Sequence, residues 1–145
     1  RMSVEALFQK HAKKKDEMRR KPKQPVAAGP FLEEAEKQQI LDTIDENAVV
    51  VWSKSYCPFC RQTKATFKSI ENLSYRVVEM DDGNHEGWQA YIAELAKERA
   101  IPSAANNNTK SVPQIFINQK YIGGADDLAE LYQDKSLAKM LGCFY

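Results

Sequence analysis

Two cysteines, Cys57 and Cys60, lie one helical turn apart and directly follow a short apolar run. That run, residues 49–52, is β-branched and aromatic, which predicts a buried strand, whereas the residues after Cys60 have helical spacing. Pro58 suits the first turn of a helix, where a missing N–H leaves no hydrogen bond unmade. The unpaired N–H groups and dipole of a helix N-terminus favour a thiolate. The pattern therefore predicts a nucleophile at Cys57 and, at Cys60, a second thiol able to resolve the disulfide that Cys57 forms.

A cysteine pair with this spacing can also bind structural zinc or form a structural disulfide. Structural zinc needs two further ligands at suitable spacing, and the remaining candidates, Cys143, His11 and His85, are scattered along the chain. A purely structural disulfide is the other alternative. In a chain with only three cysteines, a strand followed by a Cys-x-x-Cys pair and a helix favours redox chemistry over structural zinc and over a structural disulfide.

The elements that must position these thiols are predicted by the apolar periodicity of the rest of the chain. Helices are expected over residues 32–46, 58–72, 86–99, 127–133 and 136–141. Strands are expected over residues 48–53, 75–80, 114–117 and 120–122, the last two forming a hairpin. A strand, helix and strand followed by a helix and a hairpin predict an α/β/α sandwich with a central mixed sheet of about four strands.

Composition limits the possible settings of this chemistry. The 145 residues suit one domain with an extension. Residues 1–25 carry nine Lys or Arg against three acids, while the remainder carries twelve against seventeen, so the mildly acidic body suggests no nucleic-acid surface. No apolar stretch approaches the roughly 20 residues that span a bilayer. Three cysteines and no recognisable signal-peptide segment lead us to expect a reducing, cytoplasmic location.

Residues 1–30 are expected to form a basic arm and linker. A narrow apolar stripe with helical spacing predicts a helix over residues 3–20, and prolines and a glycine then interrupt it. The simplest interpretation is a solvated, partly ordered helix. A targeting presequence, a membrane-surface helix and a partner-docking arm stay open as alternatives, and organellar targeting is not excluded.

Downstream segments carry a resemblance to a known family. Four segments carry it, and they occur in order along the chain. They are residues 54–60, the Val112 and Pro113 pair, the hairpin at residues 114–122, and the Gly-Gly-Ala-Asp-Asp run at residues 123–127. Together they closely resemble a dithiol glutaredoxin of the thioredoxin-like fold. The resemblance extends over roughly residues 32–141, and it implies a glutaredoxin domain over residues 31–145.

The resemblance implies a glutathione-binding groove. A cis peptide before Pro113 would present the Val112 backbone to the cysteinyl part of glutathione. Lys54 and Gln89 would meet its glycine carboxylate. Phe59 would form a wall of the groove. Gly124, Ala125 and Asp126 would form the site for the γ-glutamyl end. From the residues themselves, Asp126 or Asp127 is expected to be the N-cap of the following helix.

The implied activity is glutathione-dependent thiol–disulfide exchange. Such an enzyme reduces protein–glutathione mixed disulfides and protein disulfides through the Cys57 thiolate. Its expected partners are glutathione, the oxidised proteins and, indirectly, the glutathione reductase system, with no metal and a monomeric state. The alternative is a carrier in which Cys57 and glutathione from two protomers hold a [2Fe–2S] cluster. Pro58 disfavours it, because cluster-binding relatives usually have glycine or serine there.

Two features depart from the family pattern. Residues 96–110 form a connection about ten residues longer than expected, and its Asn, Ser and Pro content predicts an exposed, mobile loop. A tolerated surface insertion is the simpler interpretation, although the segment could border the groove and influence substrate choice. Cys143 has no motif around it and is expected to be an extra thiol.

Overall fold

The computed structural model describes residues 32–142, so the predictions for the basic arm and for Cys143 lie outside the described residues. Within these described residues, five α-helices, one short 3-10 helix (Pro102–Ala104) and four strands follow in order. They are α1 (Glu34–Glu46), β1 (Val49–Ser53), α2 (Pro58–Lys68), β2 (Arg76–Glu79), α3 (His85–Arg99), β3 (Gln114–Ile117), β4 (Lys120–Gly123), α4 (Ala125–Gln133) and α5 (Ser136–Leu141).

The four strands form one mixed sheet in the order β2-β1-β3-β4. β1 pairs in parallel with β2, with α2 as the crossover, and pairs antiparallel with β3. β3 and β4 form the expected hairpin, and Asn118 and Gln119 occupy its turn with φ of 51° and 73°. Two successive positive φ values match the primed turns whose twist fits a two-residue hairpin.

Alternate residues of β1 pack against opposite layers of helices, and its first four residues are accordingly all apolar. Val50 and Trp52 belong to a core with α1 and α3, whereas Val49 and Val51 belong to a core with α2, α4 and α5. All five residues of β1 are buried. A strand covered on both faces needs an unbroken apolar run. The predicted α/β/α sandwich of the thioredoxin-like type is confirmed, and β1 holds the thiol loop at its carboxyl end.

The helices α1 and α3 begin within two residues of their predicted starts, and two other helix boundaries differ from the prediction near the site. The helix of the thiols ends at Lys68 rather than near residue 72, because Ser69 is its C-cap and Asn72 has a left-handed φ of 63°. The helix α4 begins at Ala125, with Gly124 as its N-cap, so neither Asp126 nor Asp127 is the cap residue. Asp127, at the third helical position, instead accepts a hydrogen bond from the Gly124 N–H at 2.9 Å. A side chain at that position can satisfy an N-terminal donor.

In the part of the chain that the structure describes, every helix is too short or too polar to cross a membrane.

Candidate functional site

Cys57 occupies the position that the sequence predicted, directly before the first turn of α2. It is the N-cap residue with extended backbone angles, and Pro58 begins the helix. A turn closed by a 3.1 Å hydrogen bond from the Cys57 N–H to the Lys54 carbonyl brings the chain from β1 to this point. Cys57 is half-buried and a free thiol. A partly accessible sulfur at a helix N-terminus is suited to nucleophilic attack.

Cys60 lies one turn further on and is fully buried, also as a free thiol. Burial is the largest influence on it and raises the pKa of the Cys60 thiol above its ordinary value. Hydrogen bonds with the Lys54 N–H and the Ser53 hydroxyl act in the opposite direction, while the hydrogen bond and charge of Cys57 act in the same direction as burial. The two thiols therefore have different environments, one accessible and one enclosed.

A carboxylate from the neighbouring strand holds the loop before the thiols. Asp81, just beyond β2, accepts hydrogen bonds from both the backbone N–H and the hydroxyl of Ser55. These two bonds lower the pKa of Asp81 below its usual range, so the carboxylate stays ionised at neutral pH. No local pattern in the sequence indicates this role of Asp81, because its partner is 26 residues away along the chain.

The peptide bond between Val112 and Pro113 is cis, as the resemblance implied. Two cavities lie next to this turn and next to the thiol loop, and the predicted binding residues divide between them. One cavity, of about 330 Å³, includes Val112 and Pro113 in its lining. The other, of about 580 Å³, contains Lys54 and Gln89. We name them the aspartate-side cavity and the lysine-side cavity.

The aspartate-side cavity collects most of the predicted glutathione contacts. Phe59, in the first turn of α2 between the two cysteines, is about half exposed and lines this cavity. The first residues of α4 form another part of the wall. The remaining lining residues come from the loop before Pro113 and from β4, and the full set is Phe59, Asn107, Asn108, Ser111, Val112, Pro113, Tyr121, Gly124, Ala125, Asp126 and Asp127.

Adjacent aspartates at this end have different functions. The Asp127 carboxylate is engaged by the Gly124 N–H at 2.9 Å and by the Asn107 side-chain amide at 2.8 Å. Asp126 is exposed, lines the cavity and makes no side-chain hydrogen bond within residues 32–142. Burial, followed by the charge of Asp127, raises the pKa of Tyr121 to about 12, so its hydroxyl remains protonated. Asp126 is thus the carboxylate available to a ligand.

The lysine-side cavity is lined mainly by charged and polar side chains of α3 and by two lysines from loops. Lys54 comes from the thiol loop and Lys110 from the segment before Pro113. Gln89 lies in the wall and uses its amide to donate to the Lys110 carbonyl at 2.5 Å. The complete lining is Lys54, His85, Glu86, Gln89, Ala90, Ala93, Glu94, Lys97 and Lys110. Ammonium groups suit a carboxylate ligand, and this lining holds three lysines against two glutamates.

The long connection before Pro113 is anchored to the domain more firmly than predicted. Its first four residues continue α3, and most later positions are exposed as expected. Ala104 and Thr109, however, are buried, at 1% and 4% exposure. The Thr109 carbonyl accepts from the buried Gln114 side chain at 2.7 Å, and Asn107 binds Asp127. The connection therefore forms part of both cavity walls.

Among the wall residues that sequence reasoning missed are three from the long connection, Asn107, Asn108 and Lys110. Their position two to five residues before Val112 was the available signal. The zinc interpretation gains nothing from the structure, since residues 32–142 contain no group of three or more His, Cys, Asp or Glu side chains placed to hold a metal ion.

Comparisons with known proteins agree with this architecture. The glutaredoxin family model matches residues 49–122, from the start of β1 into β4. Glutaredoxin-C4 of Arabidopsis thaliana is 38% identical over 102 residues, covering 69% of this chain and 66% of its own length. A Rhizophagus irregularis glutaredoxin-1 is 33% identical over 106 residues, covering 72% and 93%. The chain thus spans just under two thirds of the Arabidopsis relative and nearly all of the fungal one.

Solved structures show the same fold. A buckwheat glutaredoxin–glutathione complex matches with a TM-score of 0.61 and 27% identity, covering 73% of this chain and 86% of that one. Wheat glutaredoxin matches with a TM-score of 0.59 and 32% identity, covering 73% and 91%. With a thiol pair at a helix N-terminus and a cis-proline turn, the chain belongs to the glutaredoxin family of thiol–disulfide oxidoreductases.

Proposed function

We propose that the protein catalyses glutathione-dependent thiol–disulfide exchange and reduces protein–glutathione mixed disulfides and protein disulfides. The observation that carries this proposal is the pair of cavities of contrasting charge beside the thiol loop. Phe59, between the two cysteines, lines one cavity, and Lys54, three residues before Cys57, lines the other. A ligand spanning both cavities would pass the Val112 and Pro113 turn.

The two ends of glutathione match the two cavities. Its γ-glutamyl end carries an ammonium and a carboxylate, for which Asp126 and the N-terminus of α4 supply an acceptor and N–H donors. Its glycine end carries a single carboxylate, which suits Lys54 and Lys110. The cysteinyl part would then lie beside Val112. The buckwheat relative, whose structure is a complex with glutathione, supports this assignment.

The reaction begins with attack by Cys57. Its thiolate displaces the substrate thiol from a mixed disulfide and takes up the glutathionyl group, and a second glutathione releases Cys57 and forms glutathione disulfide. With a protein disulfide, Cys57 forms the inter-protein bond and Cys60 attacks Cys57, which yields the intramolecular disulfide. Partial exposure of Cys57 and full burial of Cys60 fit this division of roles.

Turnover of a small glutathione mixed disulfide, coupled to glutathione reductase, tests the proposal. Cys57→Ser is expected to lower the rate by more than about 100-fold, because the covalent route is lost. Cys60→Ser should retain most of the activity, because glutathione itself can resolve the intermediate.

The matched comparison between the two serine variants controls for general damage to α2. Substantial turnover by Cys57→Ser would refute the assignment of the nucleophile. Equal turnover with a reductant that lacks the γ-glutamyl group would refute the assignment of glutathione.

A further inference from the structure

The long connection exposes the side chain of Lys110 to solvent but fixes its backbone on both sides. Three of the four polar groups in the two peptide units that flank Lys110 have side-chain partners. The Lys110 N–H donates to the Asn108 side-chain oxygen at 3.0 Å, and the Lys110 carbonyl accepts from the Gln89 amide at 2.5 Å. The Thr109 carbonyl accepts from the Gln114 amide at 2.7 Å. Fixing both peptide units sets the direction in which the lysine side chain leaves the backbone.

Gln114, the residue after the cis-proline turn, joins the connection to α3. Its side chain is fully buried, and its amide nitrogen donates to the Thr109 carbonyl and, at 3.3 Å, to the Gln89 carbonyl. Burying an amide costs free energy unless its polar groups find partners. These two bonds use both N–H donors of the amide. They also hold the connection against the helix that carries Gln89.

Gln89 completes the attachment from the surface of α3. Its side chain is half-buried and donates to the Lys110 carbonyl, while its own carbonyl accepts from Gln114. We name Gln89 and Gln114 the amide clamp. The family resemblance implied that Gln89 meets the ligand carboxylate directly. In this structure its amide has a partner within the protein, which is the backbone of a lysine that lines the same cavity.

We propose that the amide clamp positions Lys110 to bind the glycine carboxylate of glutathione, so that the long connection carries a specificity determinant. The proposal rests on the proposed function and deepens it, because it identifies what holds one of the two lysines assigned to that carboxylate. Lys54, the other lysine, belongs to the turn that its carbonyl forms with the Cys57 N–H. A lysine whose backbone is already fixed loses less conformational entropy on binding.

Steady-state kinetics on Gln114→Leu tests the clamp, because leucine is similar in size but donates no hydrogen bond. We expect the KM for the glutathione substrate to rise about threefold, as in Lys110→Gln, with kcat within about twofold of the parent. Added salt should raise the KM less in this variant than in the parent, because the ammonium no longer contributes. Combining both substitutions should leave the increase near threefold and not near ninefold.

Gln89→Met is the second variant, and it keeps the test available if Gln114→Leu does not fold, because Gln89 is only half-buried. Its effect on the KM should also vanish in a Lys110→Gln background. A direct contact between Gln89 and the ligand would instead leave the salt dependence at the parental value, which would overturn the role of Gln89 in the clamp. Gln119→Leu is the matched control, since Gln119 donates its amide to the Asp45 carbonyl far from the cavities. It should change neither the KM nor its salt dependence.

Amide hydrogen exchange, measured without glutathione, tests the clamp apart from catalysis. In residues 105–111, exchange should be at least about tenfold faster in Gln114→Leu than in the parent and unchanged in Gln119→Leu. Parental exchange in this segment would overturn the inference, and so would additive effects of Gln114→Leu and Lys110→Gln on the KM. A parental KM in Lys110→Gln would overturn it as well. Equal turnover with a reductant that lacks the γ-glutamyl group would, in contrast, refute the proposed function itself.

Discussion

The two cavities beside the thiol loop are built in different ways. The aspartate-side wall at the start of α4 is fixed by backbone geometry and by two hydrogen bonds that Asp127 accepts, one from the Gly124 N–H and one from the Asn107 side chain. The lysine-side cavity is lined by long side chains such as Lys54, Lys97 and Lys110. Substitutions at the first cavity should therefore change the folding free energy as well as binding. Those at the second should change binding alone, in a salt-dependent way.

The largest expected effect is the loss of folding free energy in Gly123→Ala, at the end of β4 and directly before the aspartate-side wall. Gly123 has a φ of 116°, and a Cβ there would overlap the side chain of Asp127. Backbone strain and the displaced capping carboxylate should together lower the free energy of unfolding by about 3 kcal/mol. Denaturant unfolding measures this change.

Gly83→Ala is the matched control for the glycine substitution. Gly83 also has a positive φ, of 71°, but a Cβ there would meet no atom within 4 Å. Its cost should be limited to left-handed backbone strain of about 1 kcal/mol. Equal losses in the two variants would show that the close approach to Asp127 contributes nothing.

The next largest effect is expected from the adjacent aspartates, which separate binding from stability. Asp126→Asn should raise the KM for the glutathione substrate about tenfold, because a charge-assisted hydrogen bond to the ligand ammonium is lost. Asp127→Asn should instead lower the unfolding free energy by about 1 kcal/mol through its weakened cap. Steady-state kinetics and denaturant unfolding on both variants test the pair. The reverse assignment of effects would contradict the division of roles.

A smaller effect is expected at the lysine side. Lys54→Gln and Lys110→Gln should each raise the same KM about threefold, since an exposed ion pair contributes up to about 1 kcal/mol. The folding free energy should stay within about 0.5 kcal/mol of the parent. Added salt should raise the KM of the parent more than that of either variant. A KM that responds equally to salt in all three proteins would contradict a carboxylate site here.

The parts of this site that the sequence predicted are those encoded by neighbouring residues. Cys57, Pro58 and Cys60 follow an apolar strand directly, so local spacing was enough to place them on a helix N-terminus. The cis turn at Pro113, in contrast, was implied by the family resemblance and not by local spacing.

The missed parts depend on residues that meet only in the folded chain. Asp81 binds Ser55 across 26 residues, and Asn107 binds Asp127 across 20. No local pattern distinguishes such a side chain from an ordinary polar surface residue. The same reason explains the start of α4, where Asp127 acts from inside the helix and Gly124 occupies the cap.

The smallest predicted effect concerns Asn107, which links the long connection to the aspartate-side wall. Asn107→Ala removes one partly buried hydrogen bond to Asp127, which should cost about 0.5 kcal/mol of unfolding free energy. The loss should nearly vanish in an Asp127→Asn background, because the two side chains then no longer share a charge-assisted bond. A double-mutant cycle measures this coupling. Asn108 lines the same cavity, and its side chain accepts from the Lys110 N–H and from no other donor within residues 32–142, so Asn108→Ala should show no coupling to Asp127. Additive losses for Asn107 and Asp127 would mean that the connection borders the cavity without supporting it.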